Sequence, residues 1–262
     1  MRMSSRRSIT ARSDGSRGFR YTLLLLAVAI GLGGTAAAGE QSEPRSVLWP
    51  IVQYCLAARH DAGEPACFLT DPTHGYALLK DIRGPTQVLL VATDRRWGTE
   101  DPRVEAPDAP NYFAAAWAAR RCVSRLAGRD IPDGEISLAI NSMRGRTDGQ
   151  FHIHIDRIRP EVQTKLGPGV SELDFSGHHY AVRHIDKLKG VNLFAAEAGR
   201  TKAPIGEETL VVAGDPRGGF YVLTDRATGA DRASGEELQV EHQRLSPDQL
   251  RAIAISGCAD PP

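Results

Sequence analysis

Residues 150–158, Gln-Phe-His-Ile-His-Ile-Asp-Arg-Ile, constrain this chain more than any other stretch. Polar and apolar side chains alternate there, a period that suits a strand and not a helix. Gln150, His152, His154 and Asp156 are expected on one face, and Phe151, Ile153, Ile155 and Ile158 on the core side. A strand rises about 3.3 Å per residue, so side chains at i and i+2 are rooted roughly 6.5–7 Å apart. Two imidazoles at that spacing can address one phosphate or one metal ion.

The 262 residues can bury one large core or two smaller ones, and ordinary apolar and charged contents predict a globular body. The net charge of zero conceals a basic head, in which Arg2, Arg6, Arg7, Arg12, Arg17 and Arg20 face only Asp14. The remainder is mildly acidic, which argues against general nucleic-acid binding. After that head come an apolar run, Leu23 to Leu32, then Gly33-Gly34 and an Ala36-x-Ala38 pattern of the kind cleaved by signal peptidase. Residues 1–38 are therefore predicted to be an export signal, cleaved or kept as a membrane anchor, that leaves the body on the periplasmic face of the inner membrane. Ser5-Arg6-Arg7 continues poorly as a twin-arginine signal. Four cysteines suit an oxidising compartment; Cys55–Cys67 with Cys122–Cys258 is the preferred of three possible pairings.

Along the body, Val47 to Ala58 reads as a short helix. Tyr76 to Ile82 and Gln87 to Thr93 form a hairpin across Arg83-Gly84-Pro85-Thr86, and Asn111 to about Leu126 is one alanine-rich helix capped by Asn111. Ile136 to Ile140 is a strand, and Arg159-Pro160 stops the histidine strand. Beyond it, Asp174 to His184 reads as strand, Asn192 to Ala198 as helix, and Thr209 to Ala213 with Phe220 to Thr224 as a hairpin. The pattern is α+β with an antiparallel sheet and a long helix. Its C-terminal α+β part can be read as a degenerate repeat that lacks a second His-x-His.

The loop upstream of the histidines, Asn141 to Gly149, supplies an amide, two guanidinium groups, hydroxyls and glycines, a set suited to an anion. Two chemistries fit the strand. His152, His154 and Asp156 can be three ligands of a divalent metal ion, although Arg157 and the lack of a distant ligand count against it. Alternatively, one imidazole attacks phosphorus while its neighbours stabilise charge. An exported, non-catalytic nucleotide- or lipid-binding protein is a third reading.

Residues 150–156 with Asn141 resemble the histidine-triad (HIT) signature His-φ-His-φ-His-φ-φ, where φ is apolar. More closely, Lys80 to Pro85, Pro110 to Phe113, Trp117 to Arg120, Ile136 to Ser142, Gly145 to Thr147 and His152 to Pro160 resemble the CDP-diacylglycerol pyrophosphatase family. The likeness implies a HIT-like catalytic region over residues 45–160, with residues 161–262 in the same or a closely packed domain. It also implies hydrolysis of CDP-diacylglycerol to CMP and phosphatidate at a membrane surface, with no cofactor. His152 would be the nucleophile, forming a nucleotidyl-histidine, and His154 would bind a non-bridging oxygen. Gln150, standing where the family has its first histidine, would support by hydrogen bonding. Asn141, Thr147, Arg144, Arg146 and Lys80 would hold substrate. An ordinary imidazole pKa of ~6.5 would place the loss of activity below about pH 6.

Overall fold

The apolar runs pair into antiparallel strands whose central members are buried on both faces. A computed structural model describes residues 46–57, 67–229, 232–240, 243–253 and Cys258. The expected leader, with His60 and His242, lies outside the described residues. Among the described residues no helix is long and apolar enough to cross a membrane.

In chain order the elements are α1 (Leu48–Ala57), β1 (Cys67–Asp71), β2 (Tyr76–Lys80), β3 (Val88–Ala92), α2 (Tyr112–Ala118), α3 (Arg121–Ala127), β4 (Ile136–Ile140), β5 (His152–Arg157), α4 (Pro160–Gln163), β6 (Glu172–Phe175), β7 (His178–Ile185), α5 (Leu193–Thr201), β8 (Glu208–Gly214), β9 (Phe220–Arg226) and α6 (Pro247–Ala252). Among the described residues the strands form one antiparallel sheet in the order β1-β2-β3-β5-β4-β8-β9-β7-β6. The histidine strand β5 is thus flanked on both sides, with His152 opposite Val91 and His154 opposite Leu89 on β3 and Ala139 on β4.

Alternation sorts the two faces. Phe151, Ile153 and Ile155 join the main core with Tyr112, Phe113, Val123 and Phe194. On the other face, Leu89 and Val91 pack with Leu48 and Val52 of α1, while Ala139, Val211 and Leu223 pack with Val162 and Leu238. Ile158 corrects the sequence expectation: an even-numbered residue, it falls on the histidine side and packs in this second group. The predicted single helix over 111–126 is also corrected, being broken into α2 and α3. The Arg120 guanidinium donates to the Trp117 carbonyl at 2.9 Å and to Asp133 at 2.7 Å, while the next backbone bonds tighten to Arg120 N–Trp117 O and Cys122 N–Ala119 O.

A disulfide joins Cys55 on α1 to Cys67 on β1, 12 positions apart in sequence, as an oxidising compartment allows. The second expected pairing is not formed. Cys122 and Cys258 are buried neighbours, and the Cys122 thiol donates to the Cys258 carbonyl at 3.5 Å.

Two sets of elements follow one order: β2-β3-helix-β4-β5 arranged 2-3-5-4, and β6-β7-helix-β8-β9 arranged 6-7-9-8. They meet at the β4–β8 seam, where Ala139 pairs with Val211. Asn111-Tyr112-Phe113-Ala114-Ala115 opens α2 and Asn192-Leu193-Phe194-Ala195-Ala196 opens α5. Each asparagine accepts from the backbone three residues on, and each amide reaches into the other set: Asn111 donates to Leu188 O at 2.8 Å and Asn192 to Val104 O at 2.9 Å. Phe113 and Phe194 meet with ring centroids 5.2 Å apart.

After β9 the chain returns as a strap over the histidine face. Thr209 donates to Ala233 O at 2.9 Å, Arg159 N to Leu238 O at 2.9 Å, Val240 N to Arg157 O at 3.0 Å, and Leu245 N to Ile82 O at 2.7 Å. Because Asn192 both caps a helix and ties the two sets together, Asn192→Ala is expected to cost about 1–2 kcal/mol, read from urea unfolding.

Candidate active site

His152 and His154 lie at the floor of a cavity of about 270 Å³ between the sheet, the start of α1 and the strap. Val47, Leu48 and Ile51 form an apolar wall over the sheet floor, where Leu89 lies beside His154 and Leu79 beside Leu89, and Asp81, Thr147 and Glu236 complete the lining. The imidazole centroids are 4.8 Å apart with the rings at 70°.

The two rings are held in opposite states. His152 Nδ1 lies 2.6 Å from the Gln150 carbonyl, which can only accept, so this nitrogen carries the proton and Nε2 keeps its lone pair. Burial, and then the charge on His154, lower the His152 pKa to about 4. This corrects the ordinary value expected from sequence. His154 is equally buried, and burial alone would lower it too. Glu236 at 2.5 Å from Nε2, with Asp81 at 3.7 Å from Nδ1, outweighs that and holds His154 up at about 9. Burial would raise both acids, but the His154 cation brings Asp81 below its ordinary value and, with Arg83, brings Glu236 down to about 2. Near neutral pH a neutral imidazole stands beside a charged one.

Of the residues expected to bind substrate, Thr147 and Lys80 line the cavity. Lys80 spends its ammonium on three backbone carbonyls, Asp81 and Gly84 at 2.7 Å and Gln87 at 3.2 Å, and burial lowers it to about 8. It holds the β2–β3 turn in shape. Asn141 accepts from Gly235 N at 2.8 Å and Ser234 Oγ at 3.3 Å and so holds the strap. Arg144 is exposed and donates to Gly229 O, and Arg146 pairs with Glu100. Neither guanidinium lines the cavity. A loop whose composition suits an anion is largely engaged with its own protein, and Gly145 allows this: a Cβ there would sit 2.3 Å from the Ala233 carbonyl.

Gln150 is fully buried. Its amide donates to Ala92 O at 3.0 Å and Asp94 O at 2.6 Å, and its side-chain oxygen accepts from Arg95 at 2.9 Å. Its side chain secures the loop after β3, while its main-chain carbonyl orients His152. Asp156 accepts from Thr86 Oγ1 at 3.0 Å and Arg157 N at 2.8 Å. Among the described residues no group of three His, Cys, Asp or Glu side chains is placed to hold a metal ion. His178, His179 and His184 belong to β7, four strands from β5, and His74 is exposed beside Asp71.

Sequence reasoning missed Glu236 and Asp148. Asp148 takes Val47 N at 2.6 Å, Leu48 N at 3.2 Å and Ser46 Oγ at 2.7 Å, which fixes the N-terminus of α1, and takes Gln150 N at 2.8 Å, which ties that helix to the histidine strand. An acid one residue before Gly149, in a turn ahead of a strand, was the available signal; Glu236 had none. Asp148→Ala is expected to cost about 2–3 kcal/mol in urea unfolding, since it strips several charge-assisted bonds at once.

Residues 43–245 match the family model of CDP-diacylglycerol pyrophosphatase. The chain belongs to that family and is a hydrolase of CDP-diacylglycerol.

Proposed function

We propose that this family member hydrolyses CDP-diacylglycerol through a nucleotidyl-histidine formed on His152. The carrying observation is the pair of opposed imidazoles: His152 with Nδ1 against the Gln150 carbonyl, and His154 between the carboxylates of Asp81 and Glu236, which favour its charged form. His152 Nε2 attacks the cytidylyl phosphorus, the bond to the bridging oxygen breaks, and phosphatidate leaves. The ring then holds CMP while the Gln150 carbonyl shares the charge on Nδ1–H. Water attacks the same phosphorus, the P–N bond breaks, CMP departs with the water's oxygen, one water proton passes to solvent and His152 is regenerated with its lone pair on Nε2. His154, its ring nitrogens turned to Glu236 and Asp81, acts through its charge, a fixed cation placed where negative charge gathers. Thr147 lines the cavity, which supports a role for its hydroxyl in binding the phosphates. Gln150 in place of a histidine leaves the step intact, because its backbone carbonyl does the orienting.

The apolar wall supports a lipid substrate. Val47 is 72% exposed and Ile82 41%, and both stand at the cavity's edge, where acyl chains leave for a membrane surface. An exported, periplasmic setting is supported by the Cys55–Cys67 disulfide.

The fold is read as HIT-like and duplicated. Arg157 pairs with Ile136 on β4, and Arg226 pairs with Glu208 on β8. Counting back from those arginines aligns Gly149-Gln150-Phe151-His152-Ile153-His154-Ile155-Asp156-Arg157 with Gly218-Gly219-Phe220-Tyr221-Val222-Leu223-Thr224-Asp225-Arg226. Tyr221 and Leu223 stand where the histidines would be, and both are packed in the second apolar group. The second half has exchanged a site for a core.

The test is turnover of CDP-diacylglycerol labelled in the cytidylyl phosphate, with acid quench and EDTA present. Label is expected on wild-type protein and absent from His152→Ala, whose turnover falls by about 10³-fold or more. Unchanged turnover in His152→Ala, or loss of wild-type turnover on chelation, would sink the mechanism. The acid limb of kcat/KM is expected near pH 4 rather than 6, since His152 must be neutral to attack and its pKa is depressed.

A further inference from the structure

Glu236 reaches the cavity neither from the histidine strand nor from a neighbouring strand. It belongs to a single 3-10 turn of the strap, Gly235–Leu238. That turn is fixed on both sides: Gly235 N and Ser234 Oγ bond Asn141 before it, and after it Leu238 O takes Arg159 N while the Gln239 amide donates to Ser137 O at 3.2 Å. Each carboxylate oxygen has its own partner, Oε1 the His154 Nε2 at 2.5 Å and Oε2 the Arg83 guanidinium at 3.0 Å.

Several groups face His154. From β5 come His152 and Asp156, from the β2–β3 hairpin Lys80, Asp81, Arg83 and Gln87, from the preceding loop Asp148, and from the strap Glu236. Most are committed elsewhere. Asp156 is turned to Thr86, Asp148 to α1, Lys80 to three carbonyls, and Arg83 to Glu236 itself. Gln87 is uncharged; its Nε2 lies 3.2 Å from Nδ1, so a protonated Nδ1 requires this amide to turn over and present its oxygen. Asp81 and Glu236 remain, with Glu236 much the nearer. Two imidazoles this close do not both hold a proton cheaply, so the placement of one carboxylate decides which of them is charged.

We propose that Glu236 is a positioning residue for the hydrolysis, holding the His154 ring in one orientation and in its charged form so that His152 stays neutral. The inference rests on the reading of His152 as nucleophile. It gives the strap a chemical role, in which a residue from the second half of the chain completes the site in the first.

The test uses the full chain, as wild type, Glu236→Gln and Glu236→Asp. The pH dependence of kcat and KM on a short-chain CDP-diacylglycerol in mixed micelles is combined with nuclear magnetic resonance titration of the histidine ring nitrogens in ligand-free protein, the His154 signals being assigned with His154→Gln. Wild type is expected to lose activity through an alkaline limb near pH 9, as His154 loses its proton. Glu236→Gln should move that limb and the His154 titration down by about one pH unit or more, and lower kcat at pH 8 by about tenfold with little change in KM. Glu236→Asp, which keeps the charge, should give an intermediate shift and serves alone if the glutamine variant does not fold. An unmoved limb with an unmoved His154 titration would overturn the proposal. So would a rise in activity, which would make Glu236 a plug and not a support. The titration needs no turnover, so failure to trap label on His152 would remove the nucleophile while leaving the hold of Glu236 on His154 separately readable.

Discussion

A row of four polar side chains is buried at the middle of a sheet, and much of the surrounding structure exists to satisfy it. Gln150, His152, His154 and Asp156 are each less than a tenth exposed. Polar atoms removed from water at such a site are tolerated only with partners. Thr86 meets Asp156, Ala92, Asp94 and Arg95 meet Gln150, the Gln150 carbonyl meets His152, and the strap brings Glu236 to His154. The turn after β2, the loop after β3 and the returning strap owe part of their paths to that demand.

Two histidines one strand step apart are driven in opposite directions by their surroundings. Both are buried, which disfavours charge on either. The difference is that His152 faces a carbonyl and His154 faces two carboxylates. A nucleophile must keep its lone pair, and a group that stabilises a phosphoryl centre gains from keeping its proton. In the proposed mechanism identical side chains thereby take complementary roles through neighbours supplied by distant parts of the chain.

What was legible in the sequence was local. Alternation located β5, and apolar runs bounded by turn residues located the β2–β3 and β8–β9 hairpins, because those signals are written over five to seven consecutive residues. The break between α2 and α3 was not, since Ala118-Ala119-Arg120 favours continued helix and only Asp133, reached through the fold, draws Arg120 aside. Arg144 and Arg146 have the chemistry for phosphate, but Gly229 and Glu100 engage them. Glu236 carries no local pattern at all; its place at His154 follows from the strap's bonds to Asn141 and Arg159. Gln150 stood out as an exception, yet its useful atom is one that every residue type possesses.

The seam between β4 and β8 joins two halves of a single polypeptide. Had those halves been separate subunits, Glu236 would reach His154 only while they remained associated, and dilution would empty the site of its carboxylate. Covalent continuity replaces that association with a fixed local concentration. Glu236 stands at His154 in every molecule, at any dilution.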